Sequence, residues 1–276
     1  MVETGPAGLS MTPPAIETRQ LTRRFGEFVA LHPLDLVVEP GIIFGLLGPN
    51  GAGKSTTIKI LTTLLPPTSG TALVAGVNVV DRPAQVRRHI GYVPQLLSAD
   101  GALTGRENLV LSARLYRVPR AERRSRIAEA LAFMELDAVG DDLVRTYSGG
   151  MIRRLELAQA MLHEPQVLFL DEPTIGLDPV ARRAVWDRLR ELQRRSGMTI
   201  LLTTHDMEEA QVLCDRLAIL HHGVVAVLGE PLALMAGIGP EATLEDVFIT
   251  AVGGSIEEGG TYRDVRQLRT SVQRRG

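Results

Sequence analysis

A short glycine-rich segment constrains this chain more than any other part of it. Residues 48–56 read GPNGAGKST, which fits the pattern G-x-x-x-x-G-K-[ST] of a phosphate-binding loop. The glycines allow the backbone to curl with several N–H groups facing inward, and a lysine and a hydroxyl side chain follow them. The segment therefore predicts a loop that binds the phosphates of a nucleoside triphosphate.

The residues on either side of this loop support that interpretation. Residues 42–47 form a continuous apolar run and are predicted to be a buried strand, whereas residues 56–65 have apolar side chains at helical spacing. A strand, a glycine-rich loop and a helix N-terminus in this order form an anion-binding arrangement. In such an arrangement Lys54 reaches the β- and γ-phosphates, and the Ser55 hydroxyl ligates Mg²⁺.

Composition restricts the other possibilities. The chain has 276 residues, of which 45% are hydrophobic, so it is large enough for a domain with a subdomain and is not globally disordered. A net charge of −2 gives no general reason to expect a nucleic-acid partner. The single cysteine, Cys214, fits a reducing compartment. No apolar run is long enough for a membrane helix, and residues 1–14 lack the pattern of a signal peptide.

The order of apolar segments predicts an α/β fold with a parallel sheet. Continuous apolar runs suit strands that are buried on both faces, and the helical stretches between them suit crossover connections. Residues 15–39 have strand-like alternation around a turn at residues 24–27. Further strands are predicted at 42–47, 71–80, 89–93, 167–170, 199–203 and 217–220, while residues 104–163 have a helical pattern.

These patterns also predict how the chain is divided. One domain is expected over residues 15–252, with a helical subdomain at about 96–165. A flexible tail is expected over residues 1–14. A second, mobile tail is expected over residues 253–276, which are rich in Gly, Glu and Arg.

Two carboxylates follow the apolar run at residues 167–170. Because ligands of α/β sheets gather beyond the carboxyl ends of the strands, Asp171 and Glu172 are expected near the phosphate-binding loop. Asp171 is then placed to hold Mg²⁺, and Glu172 to accept a proton from an attacking water. Without the loop, the same pair would be read as an ordinary strand end or helix cap.

A second serine-glycine segment reads Tyr-Ser-Gly-Gly-Met at residues 147–151. Ser148 alone would be a good helix N-cap. Together with Gly149 and Gly150 it also forms an anion site, with exposed N–H groups, a hydroxyl and the positive end of a helix dipole. A second phosphate cradle is useful if it caps a triphosphate that another copy of the domain holds.

In their order, these motifs resemble those of the ATP-binding subunits of ABC transporters, over residues from about 15 to 250. Tyr147 and Met151 depart from the signature LSGGQ, and this variant resembles the drug-exporter branch of the daunorubicin-resistance type. The matching residues are Phe25 (the aromatic that stacks on adenine), residues 48–56 (Walker A), Gln95 (Q-loop), residues 147–151 (signature), Asp171 and Glu172 (Walker B), Asp178 (D-loop) and His205 (switch histidine).

The resemblance implies a specific architecture and specific partners. We expect a P-loop NTPase core with a mostly parallel sheet, an N-terminal antiparallel β subdomain and an α-helical signature subdomain. ATP and Mg²⁺ are the implied cofactors. The implied partners are a second copy, or a paired ATPase subunit, and a separate multi-span membrane permease, with no nucleic acid. The chain would then lie peripherally at the cytoplasmic face of the cell membrane and power efflux of a drug, an antibiotic or a lipid-like cargo.

The resemblance also assigns roles to individual residues. Lys54, Glu172 and His205 are expected to be catalytic, and Ser55, Gln95 and Asp171 to hold the metal. The nucleotide-binding set is Phe25, Gly48, Pro49, Asn50, Gly51, Ala52, Gly53, Lys54, Ser55, Thr56, Gln95, Tyr147, Ser148, Gly149, Gly150, Asp171 and Asp178.

Several alternatives stay open at this stage. Phe25 could be a buried core residue, and Gln95 and His205 could be ordinary loop residues. The arginines between positions 114 and 126 form either a solvated helix face or a contact with a partner or an anionic membrane surface. Rival functions are an importer subunit and an ABC ATPase that acts outside transport, on ribosomes or DNA.

Overall fold

The structure of the protein is a computed structural model, and it describes residues 13–253. The two predicted tails therefore lie outside the described residues, apart from positions 13, 14 and 253. Within the described range the chain forms two sheets and a group of helices, as the sequence predicted.

The strands form one six-stranded sheet and one four-stranded sheet. Their spatial order is β10-β9-β3-β8-β7-β6 in the larger sheet and β2-β1-β4-β5 in the smaller. The strands of residues 13–253 are β1 (Ile16–Phe25), β2 (Phe28–Val38), β3 (Ile43–Leu47), β4 (Ser69–Val74), β5 (Val77–Asn78), β6 (Ile90–Val93), β7 (Val167–Asp171), β8 (Thr199–Thr204), β9 (Arg216–His221) and β10 (Val224–Gly229).

The larger sheet is parallel except at one edge. Strands β3, β6, β7, β8 and β9 pair in parallel, and every residue of β3, β7 and β8 is buried, as expected for strands covered on both faces. Strand β10 pairs antiparallel with β9 and alternates between exposed and half-buried residues. Strand β10 was not predicted, because an edge strand of this kind has no continuous apolar run.

The smaller sheet is antiparallel and corrects one prediction. Residues 71–80, expected to be a single strand, are divided between β4 and β5 by a tight turn. Ala75 and Gly76 occupy that turn with φ values of 50° and 73°. Positive φ at both positions is typical of the turns that connect hairpin strands.

Helices cover the sheets and build the predicted helical subdomain. Its members are α3, α4 and α5, which lie between β6 and β7 in the chain. The helices of the described range are α1 (Lys54–Leu61), α2 (Pro83–His89), α3 (Gly105–Leu115), α4 (Arg123–Phe133), α5 (Gly149–Met161), α6 (Pro179–Ser196), α7 (Met207–Leu213), α8 (Pro231–Ile238) and α9 (Leu244–Gly253).

One helix boundary differs from its prediction. The helix after the glycine loop was expected over residues 56–65, but α1 ends at Leu61. Thr63 has a φ of 64°, a left-handed conformation that a helix cannot continue through. The helix therefore ends before Pro66 and Pro67, the residues at which the sequence pattern predicted its end.

The buried side chains form two hydrophobic clusters on opposite faces of the larger sheet. In β7, Leu168 and Leu170 belong to the cluster beneath the helical subdomain, whereas Val167 and Phe169 belong to the cluster shared with the smaller sheet. Successive side chains of a strand point to opposite faces, which explains this division. The larger sheet therefore lies between the two layers, and the carboxyl ends of its strands carry the site described next.

Candidate active site

The glycine loop occupies the turn between β3 and α1, where the sequence placed it. A side chain at Gly48 would come within 2.3 Å of the Leu220 carbonyl oxygen, so the close approach of loop and β9 requires glycine. Gly53 has a φ of 104°, which favours glycine at the residue that precedes the helix. Both glycines are thus explained by the backbone path of the loop.

Lys54 is the first residue of α1, and its side chain is folded back over the loop. The side chain is 4% exposed, and its ammonium group donates to the carbonyl oxygens of Gly48 at 2.7 Å and Pro49 at 3.2 Å. Its third neighbour is Glu172, whose Oε1 atom lies 3.3 Å from Nζ. The positive charge is therefore held at the mouth of the loop by two carbonyls and one carboxylate.

Asp171, the last residue of β7, joins three parts of the site. Its Oδ1 atom accepts a hydrogen bond from Ser55 Oγ at 3.0 Å and another from Thr203 Oγ1 at 2.6 Å. Burial and the negative charge of Asp171 raise the pKa of Tyr92 to about 12, which keeps that neighbouring phenol neutral. Ser55 and Asp171 thus present adjoining oxygen atoms, the ligand type that Mg²⁺ prefers.

Glu172 lies at the centre of the polar cluster. Its backbone has a φ of 50°, and its N–H group donates to both the carbonyl oxygen of Thr203 at 3.1 Å and the hydroxyl oxygen of Thr203 at 3.0 Å. The buried carboxylate then lies between Lys54 and His205, with Oε2 3.1 Å from His205 Nδ1. Strand β8 therefore positions both acids through Thr203, a residue that the sequence analysis did not single out.

A cavity of about 220 Å³ opens beside the loop. Phe25 is 46% exposed in this position, which excludes the alternative of a buried core phenylalanine. The guanidinium carbon of Arg23 lies 4.5 Å from the centre of the Phe25 ring. The cavity is lined by Phe25, Phe28, Ala30, residues 49–56, Gln95 and Glu172.

The loop that carries Gln95 is fixed by the helical subdomain. Arg153 of α5 is 2% exposed, and its guanidinium donates to the carbonyl oxygens of Pro94 at 2.8 Å and Gln95 at 2.9 Å. Glu156 balances this buried charge at 3.0 Å and also accepts from the backbone and hydroxyl of Ser98. Helix α5 thus holds the Gln95 loop through the buried ion pair of Arg153 and Glu156. This ion pair was not predicted from the sequence.

The serine-glycine segment at residues 147–151 begins helix α5. Ser148 caps the helix by accepting from the N–H group of Met151 at 3.3 Å, and Ser148 and Gly149 are exposed. The Tyr147 side chain is buried instead, and its hydroxyl donates to the Val139 carbonyl at 2.6 Å. Tyr147 can therefore contribute to a ligand site only through its backbone. None of residues 147–150 lines the cavity beside the glycine loop.

Asp178 and His205 do not line the cavity beside the glycine loop. Asp178 caps α6, where its Oδ1 atom accepts from the N–H groups of Val180 at 3.0 Å and Ala181 at 2.9 Å. His205 follows β8, and its side chain is half exposed. Lys54 and His205 both contact the Glu172 carboxylate, so the structure brings these three predicted catalytic residues into one chain of contacts.

A larger groove, of about 750 Å³, lies between the Gln95 loop region and the helical subdomain. Its lining includes Tyr92, Tyr116, Arg117 and His163, and the rings of Tyr116 and His163 stack with their centres 3.9 Å apart. Burial lowers the pKa of His163, so the imidazole favours its neutral form. The groove is basic and aromatic.

The arginine run between positions 114 and 126 does not form a single face. Arg126 pairs with Glu122 at 2.7 Å and Glu164 at 3.4 Å, and Arg123 donates to the Val118 carbonyl at 2.8 Å. Arg117, by contrast, lines the groove. Part of the run is therefore structural, and part is available to a partner. In residues 13–253 no helix is both long and apolar enough to cross a membrane.

Comparisons with known proteins agree with this geometry. The family model described as "ABC transporter" matches residues 31–175. The daunorubicin/doxorubicin resistance ATP-binding protein DrrA of Streptomyces peucetius is 47% identical over 225 residues, which cover 82% of this chain and 68% of that protein. The Nod factor export ATP-binding protein I of Sinorhizobium fredii is 46% identical over 221 residues, which cover 80% of this chain and 64% of that protein.

Solved structures lead to the same family. The structure of an ATP-binding subunit of an ABC transporter superposes with a TM-score of 0.77 at 31% identity, covering 86% of this chain and 99% of that chain. The dimeric ATP-binding cassette MJ0796, in a post-hydrolysis state with ADP and Pi, superposes with a TM-score of 0.69 at 28% identity and covers 78% and 98%. The resemblance inferred from the motifs is thus confirmed: the chain belongs to the ABC transporter family, as an ATP-binding and ATP-hydrolysing subunit.

Proposed function

We propose that two copies of this chain close on two ATP molecules and thereby power export through a separate multi-span membrane permease. The observation that carries the proposal is the separation of the two phosphate cradles. The cavity at the glycine loop includes Lys54 and Glu172 but no residue of the segment 147–150, while Ser148 and Gly149 stand exposed at the start of α5. Each copy then completes the site of the other.

The start of α5 is suited to such a role. The positive end of its dipole favours an anion, the exposed residues Ser148 and Gly149 lie at this end, and the Ser148 hydroxyl adds a donor. In a two-fold dimer the same surface of each copy faces its partner, so one contact generates two equivalent sites. ATP would stabilise this interface, since its phosphates would contact both copies.

Within one copy, the loop holds the phosphates and Phe25 offers its ring to adenine. The half-exposed position of Phe25 beside the loop supports this assignment. Lys54 is already placed at the loop by two carbonyls, so its charge needs little rearrangement to meet a phosphate oxygen. Asp178, exposed at the start of α6, would approach the partner copy.

The oxygen atoms of Ser55 and Asp171 fit Mg²⁺. They lie 3.0 Å apart, and Gln95, which lines the same cavity, can offer a side-chain amide oxygen. When bound there, Mg²⁺ would neutralise charge on the β- and γ-phosphates. Asp171 keeps its orientation through Thr203, so this carboxylate is positioned independently of any ligand.

Glu172 is the proposed general base. A phosphate in the loop competes with this carboxylate for Lys54, because charge-assisted bonds to phosphate are strong. The released carboxylate takes a proton from water that attacks the γ-phosphorus in line. His205 contacts Glu172 Oε2 at 3.1 Å, and it holds this geometry or donates to the γ-phosphate. Loss of the bridging phosphate then allows the two copies to separate.

The permease is proposed to contact the basic, aromatic groove beside the Gln95 loop. This position would connect the permease to helix α5 through the buried pair Arg153 and Glu156. The names of the two relatives, one concerned with daunorubicin/doxorubicin resistance and the other with Nod factor export, favour export over import. The proposed cargo is a drug, an antibiotic or a lipid-like molecule. The chain would then lie peripherally at the cytoplasmic face of the membrane.

The variant Glu172→Gln tests the proposal. It keeps the shape of the side chain but cannot take a proton, so kcat should fall at least ~100-fold while ATP binding persists. Sedimentation should then show a dimer with ATP and a monomer with ADP. Glu208→Gln, an exposed neighbour of His205, is the matched control and should hydrolyse ATP like the native chain. Native hydrolysis by Glu172→Gln, or a monomer at every ATP concentration, would contradict the proposal.

A further inference from the structure

A buried carboxylate outside the catalytic cluster joins three elements of the fold. Glu209 lies in the first turn of α7, four residues after His205, and is 1% exposed. Its Oε1 atom accepts a hydrogen bond from Thr174 Oγ1 at 2.6 Å and another from Trp186 Nε1 at 3.0 Å. A fully buried acid with two side-chain donors on one oxygen is a costly arrangement that needs a reason.

Burial and hydrogen bonding act on the Glu209 carboxyl in opposite directions. Burial raises the pKa of Glu209, and hydrogen bonds from Thr174, Thr204 and Trp186 act in the opposite direction. All three neighbours donate, so the role of Glu209 towards them is that of an acceptor. Removal of the acceptor would leave the buried Thr174 hydroxyl and the buried Trp186 N–H without this partner.

Thr174 and Glu209 each follow closely after one of the proposed catalytic residues. Thr174 stands two residues after Glu172 and begins the stretch that ends at Asp178, the cap of α6. Helix α7 starts directly after the His205 segment, where Asp206 is paired with Arg182 of α6 at 2.6 Å. The two segments face each other across a cavity of about 150 Å³, which Glu209 also lines.

We propose that Glu209 is a positioning residue that fixes the distance between Glu172 and His205 through its bonds to Thr174 and Trp186. The inference rests on the proposed roles of Glu172 and His205. Without the acceptor at position 209, the segment 172–178 loses its attachment to α7. The carboxylate of Glu172 then departs from the position it needs for the attacking water, while the glycine loop and its ATP affinity are unaffected.

Trp186 makes this arrangement measurable. It is the only tryptophan of the chain, and its indole N–H is bonded to Glu209. Its emission therefore reports the environment of Glu209 without any label. A nucleotide bound beside Glu172 should alter that emission through the segment that includes Thr174.

The test compares Thr174→Val, Glu209→Gln and Glu209→Leu with the control Glu208→Gln in the full chain. Valine at 174 keeps the shape and removes the hydroxyl, so this variant is suitable even if Glu209→Leu fails to fold. In Thr174→Val and Glu209→Leu, kcat for ATP hydrolysis should fall about tenfold, with KM for ATP within about twofold of native, because a misplaced group slows chemistry more than binding. Glu209→Gln retains an acceptor oxygen and should keep most of kcat, and Glu208→Gln should match the native chain.

Trp186 emission supplies the second readout. A non-hydrolysable ATP analogue should change the emission of the native chain and of Glu208→Gln, and the change should be lost in Thr174→Val. The inference is overturned if Thr174→Val has native kcat and a native emission response, or if Glu209→Gln is as slow as Glu209→Leu. Failure of the proposed catalytic roles has a different signature, because Glu172→Gln would then hydrolyse ATP at the native rate.

Discussion

At the scale of single residues, the site depends on which charges are held in place and by what. Lys54 is nearly buried, with two carbonyl oxygens and the Glu172 carboxylate as its neighbours. The chain has one other lysine, Lys59, which is exposed on the same helix. Lys54 and Lys59 are therefore the same residue type on the same helix, and they differ in that one is buried and the other is exposed.

This pair gives a controlled test of the glycine loop. Lys54→Ala should weaken ATP binding at least ~10-fold, because it removes a charge-assisted contact to phosphate. It should also lower the free energy of unfolding by a few kcal/mol, as the buried Glu172 loses its cation (~3 kcal/mol). Lys59→Ala should change neither quantity. Equilibrium binding of a fluorescent ATP analogue and urea unfolding measure both, and equal ATP affinity of the two variants would contradict the assignment.

At the scale of elements, helix α5 begins with the serine-glycine segment and packs against α6. Its first turn lies against α6, and a Cβ atom at Gly150 would come within 2.8 Å of Ala181 Cβ. At Gly149 the nearest atom, Leu177 Cδ2, would be at an ordinary 3.5 Å. The two glycines therefore differ: Gly150 permits close packing of α5 and α6, whereas Gly149 is exposed and has space for a side chain.

Substitution by alanine should separate these two purposes. Gly150→Ala should lower the free energy of unfolding by ~1–3 kcal/mol, because the added methyl group forces α5 and α6 apart. Gly149→Ala should leave stability unchanged or raise it by up to ~1 kcal/mol, since alanine favours the helix. Urea unfolding of both variants is the measurement. Equal stabilities would contradict the packing described for α5.

The elements that sequence could predict are those with a strong local pattern. The buried strands β3, β7 and β8 and the glycine loop follow from apolar runs and turn residues, and the two acids follow from their place after β7. Strand β10 and helix α2 were missed because their patterns are short or half-exposed. Thr203, Arg153 and Glu209 were missed for another reason: their partners Asp171, Gln95 and Thr174 lie far away in sequence, so only strand register and helix packing bring them together.

At the scale of the whole molecule, the only cysteine reports whether the core opens. Cys214 is 4% exposed, and burial raises the pKa of its thiol. Because the thiolate is the reactive species, the folded chain should resist iodoacetamide even near pH ~8.5, where an exposed thiol is half ionised. Labelling should occur only through unfolding, and ATP should slow it by stabilising the folded state. Labelling of the native chain at the rate of a free peptide thiol would contradict this description of the core.

In the proposed dimer, a working ATP site needs the glycine loop of one copy and the exposed start of α5 from the other. A mixture of two defective variants tests this sharing of the site. Lys54→Ala has a defective glycine loop and an intact Ser148. Ser148→Arg has an intact loop and a defective start of α5. Neither homodimer therefore contains a complete site. Random pairing in an equal mixture gives half mixed dimers with one complete site each.

Steady-state ATP hydrolysis should therefore be close to zero for each variant alone. In the equal mixture it should rise to roughly a quarter of the native rate at the same total protein concentration. Native hydrolysis by Ser148→Arg alone, or a mixture no faster than the average of its two components, would contradict the claim that the site is shared between two copies.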